Sequence, residues 1–147
     1  MVHSADMKPL FLLALTIVLA SCASTMNSHR MKAAQRKMLE TRQLQQAGQW
    51  DEALAMAERM QSSVSKSVTA IPVQKSASGA EVDLRPFLTA WEKGPLADLK
   101  NALSKKDDKR SVAAFHALRQ QCIACHSSLG KVPAVQVSDF PDATVVR

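Results

Sequence analysis

Apolar positions recur with a helical period through most of the middle of the chain, and the breaks in that period divide it into four predicted helices. Met31, Ala34, Met38 and Thr41 share one stripe and predict a first helix from about Ser28 to Ala47, ended by Gly48. Gln49-Trp50-Asp51 reads as a tight turn in which Asp51 is expected to cap the second helix. That helix carries Ala53, Ala57, Met60, Val64 and Val68 and ends near Ala70. Ile71 to Asp83 holds Pro72 and Gly79, lacks any helical period, and reads as a long connection. Asp83 is then expected to cap a third helix, with Pro86 tolerated in its first turn. Its stripe of Leu84, Phe87, Leu88, Trp91, Leu96, Leu99 and Leu103 is the strongest in the chain, and Gly94-Pro95 should kink or split it. Asp107 or Asp108 caps a fourth helix reaching about Ser128, on which Val112, Phe115, Leu118, Cys122 and Cys125 follow at three- and four-residue steps. No strand pattern competes before the tail, and residues 131–147, with their Val and Pro, read as extended. The pattern predicts an all-α chain.

The N-terminal segment has a different character. Lys8 opens an apolar run from Pro9 to Ala20, and no charge follows until Arg30. The run is short for a bilayer span and has the basic-then-apolar form of a secretory signal. Met7 is a plausible translation start, because Met1 to Asp6 adds nothing that a signal needs. Leu19-Ala20-Ser21-Cys22 closely resembles the lipobox of bacterial lipoproteins, which implies that residues 1–21 are a lipoprotein signal peptide and that Cys22 is acylated. Ordinary cleavage near Ala23 is the alternative. Ala23 is not the aspartate that favours inner-membrane retention in such lipoproteins, so sorting to the outer membrane stays open. Residues 22–29 are small and polar and read as a tether, leaving one domain over 30–130.

Composition narrows the classes further. The chain of 147 residues has a formal net charge of +6. Asp6 and Lys8 cancel within the signal, so the excess belongs to the mature part. Such an excess can steer docking to an acidic partner or to anionic lipid. Nucleic acid is excluded as a partner by export and by the lack of any basic run interleaved with aromatics. Four Gly and six Pro are few enough to favour helices. No nucleophile–base pair or carboxylate dyad stands out, which argues against a hydrolytic enzyme.

Cys122-Ile123-Ala124-Cys125-His126 carries the chemistry. Two thiols three positions apart lie one helical turn apart, so both can form thioethers to the vinyl groups of one porphyrin, and the adjacent imidazole can bind its iron. A thioredoxin-like pair would need a βαβ setting, and a zinc site would need two further ligands at finger-like spacing. A disulfide between residues so close constrains little. The three cysteines divide cleanly, Cys22 for lipid and two for one covalent haem c, with His126 as proximal ligand. Export agrees, since bacteria attach such haem outside the cytoplasmic membrane.

Four helices with CxxCH on the last one resemble the class II cytochromes c, the cytochrome c′ group. The resemblance spans about residues 30–130 and rests on the helix pattern and on Phe115, Cys122, Cys125 and His126 in their spacing. Gly48 to Leu54 also resembles a tetratricopeptide turn, but one copy cannot build that architecture. Gln49-Trp50 and Gly130 are similar to features of small bundle cytochromes outside the c′ group proper. Ile123 and Ser127-Ser128 depart from the basic residues often found there in cytochrome c′. The resemblance implies a four-helix bundle with haem on the C-terminal helix, and dimers are common among such proteins. It also implies that a first-helix methionine binds iron in low-spin members, whereas an apolar residue leaves the iron open in cytochrome c′. Met38, deeper in the helix, is the preferred sixth ligand and Met31 the second choice; core filling is the bland alternative. Met26 is assigned to the tether, and Met56 and Met60 to the core. His29 and His116 are expected to face solvent or serve structure, and His3 leaves with the signal. Trp91 and Phe115 are expected against the porphyrin or in ordinary core, and Arg119 beside a propionate. The expected function is a lipid-anchored monohaem cytochrome on the periplasmic side of a bacterial membrane, passing single electrons to redox proteins of the envelope. Nitric oxide or carbon monoxide binding at an open distal site is the first alternative, and an assembly lipoprotein using haem for folding is the second.

Overall fold

The computed structural model describes residues 8–131, with side chains from Thr25 onward. The expected tail, 132–147, lies outside the described residues. The fold is all-α with one small ribbon: α1 (Lys8–Gln46), α2 (Trp50–Ala70), β1 (Val73–Lys75), β2 (Glu81–Asp83), α3 (Arg85–Trp91), α4 (Ala97–Ser104) and α5 (Asp108–Ser128). A π-type turn, Glu92–Leu96, joins α3 to α4 at Gly94 and Pro95, splitting the third predicted helix at the expected place. Pro95 has no N–H to continue the α-helical ladder, which makes this the weak point of the stripe.

Three local expectations are corrected. The first helix begins at Lys8 rather than about Ser28, so the stretch read as a tether is helical backbone. Its small and polar residues contain neither Gly nor Pro, so nothing in 22–29 stops the ladder. The second helix begins at Trp50 with Gln49 at its N-cap, and Asp51 lies in the first turn, near the positive end of the helix dipole, instead of capping. The connection Ile71–Asp83 folds into an antiparallel hairpin with Val73 opposite Asp83, Gln74 opposite Val82 and Lys75 opposite Glu81. Three-residue strands are too short to display a period of two, so the ribbon left no pattern to read.

One cap forms where it was expected, and at the start of α3 Leu84 takes the N-cap position in place of Asp83. The Asp107 carboxylate accepts the Arg110 N–H at 3.0 Å and starts α5. The Asp83 carboxylate accepts the Arg85 N–H at 3.0 Å, one residue ahead of the Leu84 N-cap. At the other end of α1, Gly48 takes a left-handed φ of 73° and turns the chain into α2.

Long-range contacts set the register. Ser67 donates to the Asn27 side-chain oxygen, and the Lys37 ammonium donates to Ser63 Oγ at 2.7 Å, so α2 runs antiparallel to α1. Gln45 near the end of α1 donates to Asp108 at the start of α5, and Arg42 lies 5.7 Å over the Phe115 ring. Helices α1 and α5 are therefore antiparallel too. One core joins Met38, Met60, Trp91, Leu99, Leu103, Phe115 and Leu118; a smaller one joins Val68, Leu84 and Leu129. Among the described residues no helix is long and apolar enough to cross a membrane.

Candidate functional site

A cavity of about 400 Å³ opens where residues 28–38 of α1 face the C-terminal half of α5. This is within the roughly 300–1,000 Å³ typical of small-molecule sites. Its walls are mainly apolar: Met31, Ala34 and Met38 from α1, Met60, Val64 and Val68 from α2, Phe87, Leu88 and Trp91 from α3. Helix α5 contributes Gln121, Cys122, Cys125 and His126, while Ser28, Lys32, Gln35 and Lys131 add polar groups to the lining. The three motif residues and both candidate methionines thus line one space.

The thiol pair is electrostatically unsuited to exchange chemistry. Burial, and then the neighbouring Cys125, pushes the Cys122 thiol up to about 11, against a smaller opposing effect of the Trp91 indole. Cys122 lies deep among its neighbours and keeps part of its surface open to the cavity it lines. Cys125 is also pushed up by burial, with the Lys131 ammonium pulling the other way. Both thiols are free and lie in the C-terminal half of α5, far from its N-terminus. Redox-active thiols show the opposite arrangement, a lowered pKa at a helix N-terminus. Burial, and then the charge of Lys131, pushes His126 down, which favours the neutral imidazole that a metal needs.

His126 Nδ1 and Trp91 Nε1 are buried without a hydrogen-bond partner of ordinary geometry. A buried polar atom without a partner costs about 1–3 kcal/mol, so an unfilled role is expected at such atoms. Among the described residues no group of three or more His, Cys, Asp and Glu is placed to hold a metal ion. A porphyrin brings its own four nitrogens and needs only axial protein ligands, so a single His beside two thiols fits haem better than a bare ion. The residues present fit the group.

Several expected roles fall elsewhere. Phe115 is buried in the core and does not line the cavity. Arg119 is buried too and is not among the lining residues, so the cations placed for a carboxylate on a bound ring are Lys32 and Lys131. Neither was singled out from sequence; Lys32 follows Met31 and Lys131 lies five residues beyond His126, so proximity to the motif was the available signal. His29 is exposed and His116 partly buried, and neither reaches the cavity. Met26 is 54% exposed, in keeping with a position outside the core. Met60 is both core and cavity wall. Cys22 falls in the part of α1 described by its backbone alone.

Comparison with protein-family models, with characterised proteins and with solved structures gave no match. The functional reading therefore rests on the motif and the cavity.

Proposed function

We propose that the chain is a lipid-anchored, monohaem c-type cytochrome of four-helix-bundle type that carries single electrons on the periplasmic side of a bacterial membrane. The observation that carries this reading is the convergence of Cys122, Cys125 and His126 with Met31 and Met38 on one apolar cavity. Haem bound there would supply a one-electron iron couple. Cys122 and Cys125 would hold it through thioethers, and His126 would be its proximal ligand. The apolar walls exclude water, and Lys32 and Lys131 offer positive charge.

Between the two methionines, the helix register favours Met31 as sixth ligand over Met38. With Gln45 beside Asp108 and Arg42 beside Phe115, seven residues back along α1 from Met38 brings Met31 level with the Cys122–His126 turn. The step is about 10 Å at 1.5 Å per residue. Met31 packs on the same small cluster as Cys125, and Met38, 2% exposed, belongs to the main core against which Cys122 packs.

The test is the visible spectrum, oxidised and then reduced, of protein made with a haem-attachment system. The expected spectrum is low-spin with a weak far-red thioether–iron band, which Met31→Leu removes and Met38→Leu keeps. A high-spin spectrum that shifts with carbon monoxide would replace electron transfer with gas binding at an open site. Covalent haem persisting in the Cys122→Ser, Cys125→Ser double variant would refute the attachment.

A further inference from the structure

The antiparallel register gathers particular elements at one end of the molecule: the entry of α1 into the core, the end of α2, the hairpin, the start of α3 and the end of α5. Arg30 reaches the Lys66 carbonyl, and Lys131 donates to Gln74 at 3.0 Å, which fixes their neighbourhood. Arg30, Lys32, Lys66, Lys75 and Lys131 lie there against Glu81, while Arg85 and Asp83 neutralise one another at 2.8 Å. The opposite end is nearly balanced, with Arg42, Lys105, Lys106, Lys109 and Arg110 against Asp51, Glu52, Asp107 and Asp108. Much of the net positive charge of the described residues therefore lies at the end that carries Ser28, Lys32 and Lys131 of the cavity lining.

The same end is where α1 leaves the body. Asn27 bonds to Ser67, three residues before α2 stops, and the helix backbone continues without a break through position 22. Six residues separate Cys22 from Ser28 on the cavity wall, about 9 Å of helix. An acyl chain on Cys22 would hold the basic end within roughly one Debye length of headgroups, about 8 Å at physiological salt.

We propose that this basic end is a docking face for an anionic bilayer surface, so that the cavity mouth is presented to the membrane rather than to the open periplasm. This rests on the anchor in the proposed function but not on haem. Each surface lysine near anionic headgroups strengthens binding about fivefold, and the far end has no comparable excess. Electron exchange at such a mouth would involve a membrane-resident partner.

The test places the full lipidated chain in vesicles of phosphatidylcholine, with or without phosphatidylglycerol, and acylates amines with a membrane-impermeant reagent read by mass spectrometry. With phosphatidylglycerol, Lys66, Lys75 and Lys131 should label several-fold less than Lys105, Lys106 and Lys109, and high salt should abolish the difference. Equal labelling of the two ends overturns the proposal. So does equal protection in phosphatidylcholine alone, which would assign the orientation to the anchor. The Cys22→Ser chain should still cosediment with phosphatidylglycerol vesicles at low salt, and Lys66→Gln with Lys75→Gln should weaken that about thirtyfold. Absence of such binding also overturns it. The mass of the N-terminal peptide reports separately whether Cys22 is acylated, so failure of the anchor and failure of the docking face give different results.

Discussion

Replacing Gly130 with Ala should destabilise the protein by about 2–3 kcal/mol, a large effect for one added methyl at an exposed position. Gly130 follows α5 with a φ of 64°, a conformation that costs an L-residue about 1–2 kcal/mol. An added Cβ would also lie 2.7 Å from the Cβ of Ala77 in the hairpin turn. The hairpin cannot simply yield, because the Ala77 N–H donates to the Leu129 carbonyl at 3.0 Å. Pushing it away weakens that bond, a further loss of about 1 kcal/mol. Urea unfolding followed by circular dichroism should show the loss for Gly130→Ala, and adding Ala77→Gly should recover about 1 kcal/mol of it. The backbone cost would remain. A loss below about 0.5 kcal/mol for Gly130→Ala, or simple additivity of the two substitutions, would refute the docking of the hairpin on the end of α5.

Alkaline pH should separate the haem-free protein from the haem-bound one. The folded-state pKa of Cys122 is raised to about 11, so the stability it contributes is present below the unfolded value near 9 and is lost as pH rises toward 11. Thermal midpoints of the haem-free chain should fall across that window, and Cys122→Ala should flatten the fall. A thioether has no proton to lose, so the haem-bound chain should lack the Cys122 part of it. Leu118→Ala should cost about 2–5 kcal/mol in urea unfolding, because Leu118 is wholly buried between the helices. A loss under about 1 kcal/mol would mean the core is not packed as described.

Helix positions were legible because their apolar stripes are long enough for the 3.6-residue period to dominate. Leu84 to Leu103 announced a buried helix, and Gly94-Pro95 announced its break, since both signals act through local backbone chemistry. The hairpin was not legible, because its strands are too short for a period and it is held to the body by a tertiary bond, the Ala77 N–H reaching the Leu129 carbonyl. The extra length of α1 escaped for another reason. Small or polar residues such as Ala23, Ser24 and Thr25 suit a tether by composition, yet they do not oppose a helix already running through them.

The site divides in the same way. Cys122, Cys125 and His126 stood out by local spacing alone, which puts them within about one helical turn, and the structure brings them to one cavity. The opposite wall is a property of register between α1 and α5, which a single sequence leaves undetermined. Depth in the helix favoured Met38, since a position far from a fraying end looks better fixed. Register weighs the other way: the side-chain contacts of Gln45 and Arg42 with Asp108 and Phe115 put the level of the motif seven residues nearer the N-terminus. The consequence is physical as well as positional. A sixth ligand at Met31 would lie near the basic end, about 13 Å of helix from Cys22. Coordination and attachment would then share one end of the molecule, while Met38 and the core below it hold that end in shape.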